Sequence, residues 1–415
     1  MSAATGVLPG TVNLRAPAGT GRLFAAGPAA DYAGHLRTYG PVAGVGADFL
    51  PELEAAGMTG RGGAAFASWR KLAAVVQSRN ASVLPSRPVV IANGAEGEPL
   101  SFKDRTLLAN APHLVIDGLL VAAKTVSASA LFIYAQAASL PALEAAVAER
   151  ADARRIRLVE APEAFVAGEA SAVVNAIATG RATPTDKRRR LSESGFKGRP
   201  TLVHNVETLA HVALIARFGA GWFRSVGTVR DPGTRLVSVT GAGAERVLEV
   251  AGDSPLTEVL AAAGISAGTV PAVLVGGYHG RWVRPAGLRL SPAGAPAESV
   301  RPGAGVIHAL DSGQCGLDAT ARMVGYLADA SAKQCGPCMF GLPAMAGVLD
   351  RIAYGDRDPR LAGELMRLGR LVSGRGACHH PDGTVQLIAS ALQVFADDVA
   401  AHLGGRCTRD AGGAE

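Results

Sequence analysis

Pro88-Val-Val-Ile-Ala-Asn-Gly-Ala-Glu-Gly-Glu-Pro99 reads as a short apolar, β-branched run that breaks into a polar loop containing glycine. An uninterrupted apolar run of this length, bounded by turn residues, has the texture of a buried parallel strand. Side chains at the carboxyl end of such a strand stand where α/β folds place ligands, and here they are an Asn and two Glu. The most apolar stretch of the chain follows, from Leu114 to Ala135. Asp117, Gly118 and Lys124 interrupt it, so it reads as a helix after Pro112 and then a strand, Ala130-Leu-Phe-Ile-Tyr134, rather than a membrane span. Strand, ligand loop, helix and strand in succession predict an α/β domain over residues 41–230, after an N-terminal extension of residues 1–40.

The texture changes downstream. Leu236-Val-Ser-Val-Thr240, Val247-Leu-Glu-Val250, a short helix near Leu256–Ala263 and Ala272-Val-Leu-Val275 predict a small β-grasp-like sheet with one helix within residues 231–305. Residues 306–405 carry apolar positions at helical spacing through Ala319–Ala328, Leu342–Ile352, Leu361–Leu371 and Val385–Ala396, which predicts a four-helix bundle before a tail at 406–415. Within the first domain, Lys187-Arg-Arg-Arg190 reads as a solvated loop, with a docking or phosphate-contacting role as the sharper alternative.

Bulk properties exclude several classes. A net charge of +6 spread over 415 residues, without an aromatic-studded basic motif, argues against nucleic-acid binding but suits a basic face for an acidic partner or a phosphate. Residues 1–30 lack a charged start followed by an apolar run, so a soluble cytoplasmic protein without membrane insertion is expected. Five cysteines, clustered in the last quarter around a Cys-x-x-Cys pair, point to metal, cluster or redox chemistry rather than a secreted disulfide framework.

The strand-end loop has companions. Gly57-Met-Thr-Gly-Arg-Gly-Gly-Ala-Ala-Phe66 precedes a helical stretch with Trp69, Arg70 and Lys71. Its glycines admit close backbone approach to a phosphate, and Lys71 stands just inside the helix. Ala167-Gly-Glu-Ala170 and Asn205-Val-Glu-Thr208 each open a helical pattern, with Ser171 and Asn205 as candidate helix caps. Taken together and in order, these four segments resemble the flavin-binding domain of the NADH-oxidising subunit of respiratory complex I and its soluble relatives. The resemblance extends over nearly the whole chain after about residue 40.

It implies a Rossmann-like domain in which FMN is held by Gly60, Arg61, Gly62, Gly63, Lys71, Asn93, Glu96, Gly168, Glu169, Asn205 and Thr208, with Phe66 stacking on NAD(H). Glu96 and Glu169 are then the groups nearest the chemistry, orienting the flavin or incoming cofactor. The middle module becomes a soluble-ligand-binding (SLBB-like) β-grasp domain and the bundle the carrier of an iron–sulfur cluster. The implied partner is a ferredoxin-like protein, another redox subunit or a membrane reductase.

The chain departs from the family pattern at chemically telling positions. Ala95 replaces an Asp of the acidic loop and Ala170 the second Glu of the Gly-Glu-Glu turn. Of three aromatic rings expected around NADH, Phe66 is kept, but Ala74 and Arg190 stand at the others. That loss leaves open a flavoprotein fed only by protein partners. In the cluster motif Ala332 takes the first cysteine position, leaving Cys335, Cys338 and Cys378. A four-iron cluster takes four protein ligands. His380 or His379 is the favoured fourth, over Cys315, which a straight helix would carry roughly 25–30 Å away. A structural zinc in a non-catalytic scaffold and a dithiol redox pair are the alternatives at this motif. Cys407 reads as a bystander, and His279 as a loop residue.

Overall fold

The structure is a computed structural model that describes residues 21–42, 44–46, 48–81, 86–185, 188–292 and 298–407. Residues 1–20 of the expected extension, Lys187 of the basic run and residues 408–415 of the tail lie outside them. Three helices, α1 (Tyr32–Tyr39), α2 (Phe49–Ala56) and α3 (Ser68–Ala81), precede the first strand. An alternating series follows: β1 (Val89–Gly94), α4 (Lys103–Asn110), α5 (Pro112–Val126), β2 (Ala130–Gln136), α6 (Leu140–Ala148), β3 (Ile156–Ala161), α7 (Ala170–Thr179), β4 (Thr201–Asn205) and α8 (Val206–Arg224).

The four strands form one parallel sheet in the order β3-β2-β1-β4. Val89, Val90, Ile91 and Ala92 of β1 are fully buried, as expected of a central strand covered by helices on both faces. The chain progresses outward from β1 to β3 and then returns to β1's other side with β4. The order of the sheet therefore reverses between β1 and β4, and their carboxyl ends open the crevice where such sheets bind ligands. Asn93 and Asn205 lie side by side there.

The apolar stretch at 114–135 resolves into α5 and β2. Pro112 starts α5 and Ser127, in the left-handed region, ends it. Asp117 is buried within it and accepts from His35 Nε2 (2.7 Å), Arg150 (2.6 Å) and Arg217 (2.5 Å), which hold its carboxyl down to about 2 against the cost of burial. Among the described residues no single helix is long and apolar enough to cross a membrane.

The second sheet comprises β5 (Thr234–Gly241), β6 (Ala244–Ala251), β7 (Val273–Val275), β8 (Arg281–Val283) and β11 (Val306–Ala309), ordered β6-β5-β11-β7-β8, beside a short β9 (Arg289–Leu290) and β10 (Ser299–Val300) pair. β5 and β11 run parallel at its centre and the outer pairings are antiparallel. Leu256, Val259 and Leu260 of α9 (Leu256–Ala262) share a core with Val237, Val239 and Ile307. The last region is helical: α10 (Gly316–Asp329), α11 (Leu342–Ala353), α12 (Leu361–Val372), α13 (His380–Val394) and α14 (Ala396–Leu403). Helices fall at the four expected spans, and a fifth follows a break at Phe395, whose ring packs against Gly316, where a Cβ would lie 2.3 Å from it.

Helices α5 and α8 cross so closely that a Cβ on Gly118 would sit 1.8 Å from the Leu209 carbonyl oxygen. No side-chain adjustment relieves a clash with backbone. Gly118→Ala is expected to destabilise the first domain by about 3 kcal/mol or more, seen as a lowered midpoint in chemical denaturation. An unchanged midpoint would show that the two helices are not packed this tightly.

Candidate functional site

The crevice at the β1/β4 ends is roofed by the glycine-rich loop between α2 and α3. Gly57 ends α2 in the left-handed region, and the loop closes on itself through Gly60 N–H to Phe66 O (2.8 Å). Its base is fastened to the start of α8: Arg61 N–H donates to Thr208 Oγ1 (2.8 Å), and Gly62 passes Asn205 so closely that a Cβ would meet the Asn205 Cβ at 3.0 Å. Beyond that point the backbone N–H groups of Gly62 to Phe66 donate to no acceptor among the described residues. Of these, Gly62 lies directly against Asn205 at the N-terminus of α8, and a helix N-terminus with free N–H groups beside it is an arrangement that receives an anion.

Lys71, one turn into α3, supplies the matching cation. It is mostly buried, has no hydrogen-bond or ion-pair partner among the described residues, and burial lowers its pKa. His204, next to Asn205 on β4, is held down to about 3 by burial and then by the Lys71 charge, and its Nε2 is buried without a partner. A largely desolvated ammonium beside an orphaned imidazole and a row of free N–H groups is an environment that lacks an anion. The residues present therefore fit a phosphate-bearing cofactor such as FMN.

Several of the expected contact residues also build the loops that carry them. The Arg61 guanidinium points away into the middle sheet, donating to Asp231 (3.4 Å), Pro232 O (3.2 Å) and Thr234 O (3.0 Å), while its buried Nε has no partner among the described residues. Glu96 spends both oxygens at the start of α4, accepting from Asp104 N (3.1 Å), Arg105 N (3.2 Å) and the Ser101 hydroxyl. Asn93 bridges Gly168 O (2.9 Å) and Ala95 N (3.2 Å). Asn205 caps α8 through Glu207 N (3.0 Å) and donates to Asp104 (2.6 Å). Glu169, not Ser171, caps α7; one oxygen takes Ser171 N (2.7 Å) and Ala172 N (3.1 Å), and the other has no partner among the described residues. Gly168 packs on the Ala95 carbonyl, where a Cβ would lie at 3.1 Å, so the two loops meet backbone to backbone. Phe66 is 48% exposed at the rim, while Ala74 offers no ring and Arg190 is exposed.

Three of the five cysteines come together in the helical region. Cys335 and Cys338 hydrogen-bond each other and Cys338 feels Cys378, so three sulfurs converge where the loop before α11 meets the loop before α13. Burial and its thiol neighbours push Cys338 up to about 12. His380 does not turn to them: Nε2 meets Leu327 O (2.7 Å) and Nδ1 meets His279 (3.0 Å), so both nitrogens are committed. His379 is exposed, near Asp382 (3.4 Å). Three thiols fit the cysteine side of an iron–sulfur cluster; the expected imidazole fourth ligand is not presented. Cys315 stands at the opposite end of α10, at its N-cap.

One site residue escaped the reading of the sequence, and one of the two loop Glu takes a role that reading did not give it. Phe165, on the turn leading to Gly168, packs edge-on against His279 (4.7 Å), His380 (5.3 Å) and Tyr326 (6.1 Å), joining the crevice to the cysteine-bearing helices. Its aromatic character one turn before the Gly-Glu pair was the available signal. Glu98 accepts from Tyr278 N (2.8 Å) and tethers the middle domain to the acidic loop; burial pushes its carboxyl up to about 7.

Residues 53–214 match the family model described as the Nuo51 FMN-binding domain, and residues 318–402 match the NADH-ubiquinone oxidoreductase-F iron-sulfur binding region. Both matched regions are therefore similar to those of complex I flavin subunits. It is 27% identical over 369 residues to the second F-type subunit of the Rhizobium meliloti NADH-quinone oxidoreductase, covering 83% of this chain and 86% of the relative. It is 27% identical over 382 residues to the F-type subunit of the Escherichia coli NADH-quinone oxidoreductase, covering 86% and 84%. Among solved structures it superposes on a chain of NAD+-reducing NiFe hydrogenase in the H2-reduced state with a TM-score of 0.77 at 28% identity, over 86% of this chain; it spans 63% of that hydrogenase chain. The fold is thus an α/β fold shared with that hydrogenase chain.

Glu98 carries a pH signature. Its folded value of about 7 lies above the ordinary 4.5, so the folded protein holds a proton that the unfolded chain releases first. Its contribution to stability is complete below 4.5 and is lost as pH rises through 7. Glu98→Gln is expected to flatten the fall in thermal midpoint across that window; an unaltered slope would place the titration elsewhere.

Proposed function

We propose that this chain is the NADH-oxidising, FMN- and iron–sulfur-dependent electron-transfer subunit of a larger redox assembly. Hydride is taken from NADH in the first domain, and single electrons leave by way of the cysteine-bearing helices to a ferredoxin-like or membrane-bound partner. The observation that carries this reading is the uncommitted Lys71 ammonium with the free N–H row of the glycine-rich loop, at the sheet's switch point. When bound, FMN supplies a two-electron acceptor that can yield electrons singly, and an iron–sulfur cluster supplies a one-electron acceptor.

The chain's own residues divide the labour. Lys71 and the N–H groups of Gly62 and Gly63 hold the phosphate; Gly60, Arg61 and Thr208 shape the loop, Arg61 and Thr208 by the bond between them. Asn93, Gly168 and Asn205 set the facing loops so that backbone approaches the ring system. Glu169 orients a ligand through its free oxygen, while Glu96 positions the acidic loop. Phe66 offers one stacking face to the nicotinamide cofactor. Cys335, Cys338 and Cys378 would hold an iron–sulfur cluster. Phe165 and His380 seal the space between the two centres against water. A cytoplasmic, peripheral location accords with this role.

The missing rings at Ala74 and Arg190 favour a second reading, a flavoprotein that exchanges electrons only with protein partners. The visible spectrum of anaerobically purified protein decides between them. Flavin bands bleached by NADH support the first reading, and bands that NADH leaves untouched support the second. A colourless protein that does not take up added FMN overturns both.

Lys71→Met tests the phosphate site directly. Losing a charge-assisted hydrogen bond costs about 1.5–3 kcal/mol, so FMN affinity is expected to fall roughly 10- to 100-fold in a fluorescence titration. Cys338→Ser is expected to remove iron while leaving FMN binding intact. Undiminished FMN affinity in the first variant, or full iron content in the second, would contradict the assignments.

A further inference from the structure

At the end of the bundle remote from Cys335 and Cys338, three donors converge. Cys315 is the N-cap residue of α10. His402 lies on α14 with its side chain buried, and Cys407 follows just beyond that helix. Their ligand atoms all lie within 4.8 Å of one another. Cys407, which the sequence alone presents as a bystander in a glycine-rich tail, is brought back by a specific turn. Gly405, at φ +76°, ends α14 in the left-handed region, with Gly405 N–H on His402 O (2.8 Å) and Arg406 N–H on Ala401 O (3.0 Å). This paired closure reverses the chain and carries Cys407 to Cys315.

The orientation of the imidazole is the telling feature. His402 Nδ1 bonds to the Ala353 carbonyl, the last residue of α11, at 2.8 Å. A carbonyl only accepts, so the proton is on Nδ1 and the lone pair on Nε2. That lone pair faces Cys315 Sγ at 3.5 Å. Metal-binding histidines are fixed in this way, with the far nitrogen donating to a backbone carbonyl and the near one left basic. The sulfur–nitrogen spacing also matches: a tetrahedral zinc with Zn–S about 2.3 Å and Zn–N about 2.05 Å spans an edge of about 3.6 Å.

We propose that Cys315, His402 and Cys407 form a Cys2His site for a thiophilic divalent ion of the zinc class, separate from the iron–sulfur ligands, with its fourth position open to water. Binding displaces the two thiol protons to solvent and changes no oxidation state. The ion joins the start of α10, the end of α11 (through Ala353) and the end of α14. It is a staple for the C-terminal helix, which contributes few large apolar side chains to the core.

The test uses the full chain, produced reduced and with zinc supplied, desalted and analysed for zinc and iron. Wild type is expected to retain one zinc per chain. Cys407→Ser, which alters only a partly exposed sulfur, and His402→Gln are expected to lose that zinc at unchanged iron content. In competition with a chromogenic chelator, Cys407→Ser should weaken zinc binding by more than the roughly 10- to 100-fold that loss of an outer-shell partner costs. Cys338→Ser should lose iron and keep the zinc. Zinc content equal in wild type and Cys407→Ser overturns the proposal, as does zinc lost only in Cys338→Ser. So does wild type with no bound zinc and a Cys315–Cys407 disulfide seen by intact mass.

Discussion

The Lys103 ammonium, buried with its side chain 3% exposed, sits between Asp104 (2.7 Å) and Glu207 (2.7 Å), and the ligand crevice is organised around that triad. Burial alone would discharge the amine, but the two carboxylates raise its pKa further than burial lowers it. Each partner reaches on to a different part of the protein. Asp104 accepts from Asn205 at the end of β4, and Glu207 accepts from Leu236 N (2.8 Å) at the start of the middle sheet. Removing any one charge would strand the others in a low dielectric, a cost of several kcal/mol. The triad thereby fixes the acidic loop, the start of α8 and the middle domain relative to one another.

A consequence is a division of labour between structural and ligand-facing groups. Most of the polar residues at the crevice are consumed by the backbone of the loops that carry them. Glu96, Asn93 and Asn205 satisfy N–H and C=O groups that glycine-rich, irregular loops would otherwise leave unpaired. What remains for a ligand is smaller and simpler: one ammonium, a row of amides, one carboxylate oxygen and an aromatic face. Under the proposed function, these are the groups that would receive a phosphate and a planar ring, with the small residues around them allowing the backbone to approach.

The linkage between the crevice and the thiols is equally local. Gly97 passes so close to the Phe165 carbonyl that a Cβ would lie 2.6 Å away, and Phe165 in turn packs on His380, two residues beyond Cys378. A rigid chain of backbone and aromatic contacts spans the two centres without a flexible side chain between them. Substitution of the first cluster cysteine by Ala332 leaves this chain untouched, since the contact runs through the other cysteine-bearing loop.

The sequence by itself determined the α/β class, the position of the strand-end loops and the resemblance to complex I flavin subunits, because local periodicity and ordered glycine motifs are short-range signals. It also determined that Asn205 begins a helix and that three cysteines belong together. It could not show which way Arg61 points, that Glu98 reaches Tyr278, or that His380 is already committed to Leu327 and His279, since each depends on a partner far along the chain. Cys407 is the sharpest case. Its surroundings in sequence are glycine and charge, and only the reversal at Gly405 and the packing of α14 on α10 and α11 bring it to Cys315 and His402. Hydrogen-bond satisfaction in a closed interior is a property of the assembled fold, and it is there that each polar residue is assigned to scaffold or to ligand.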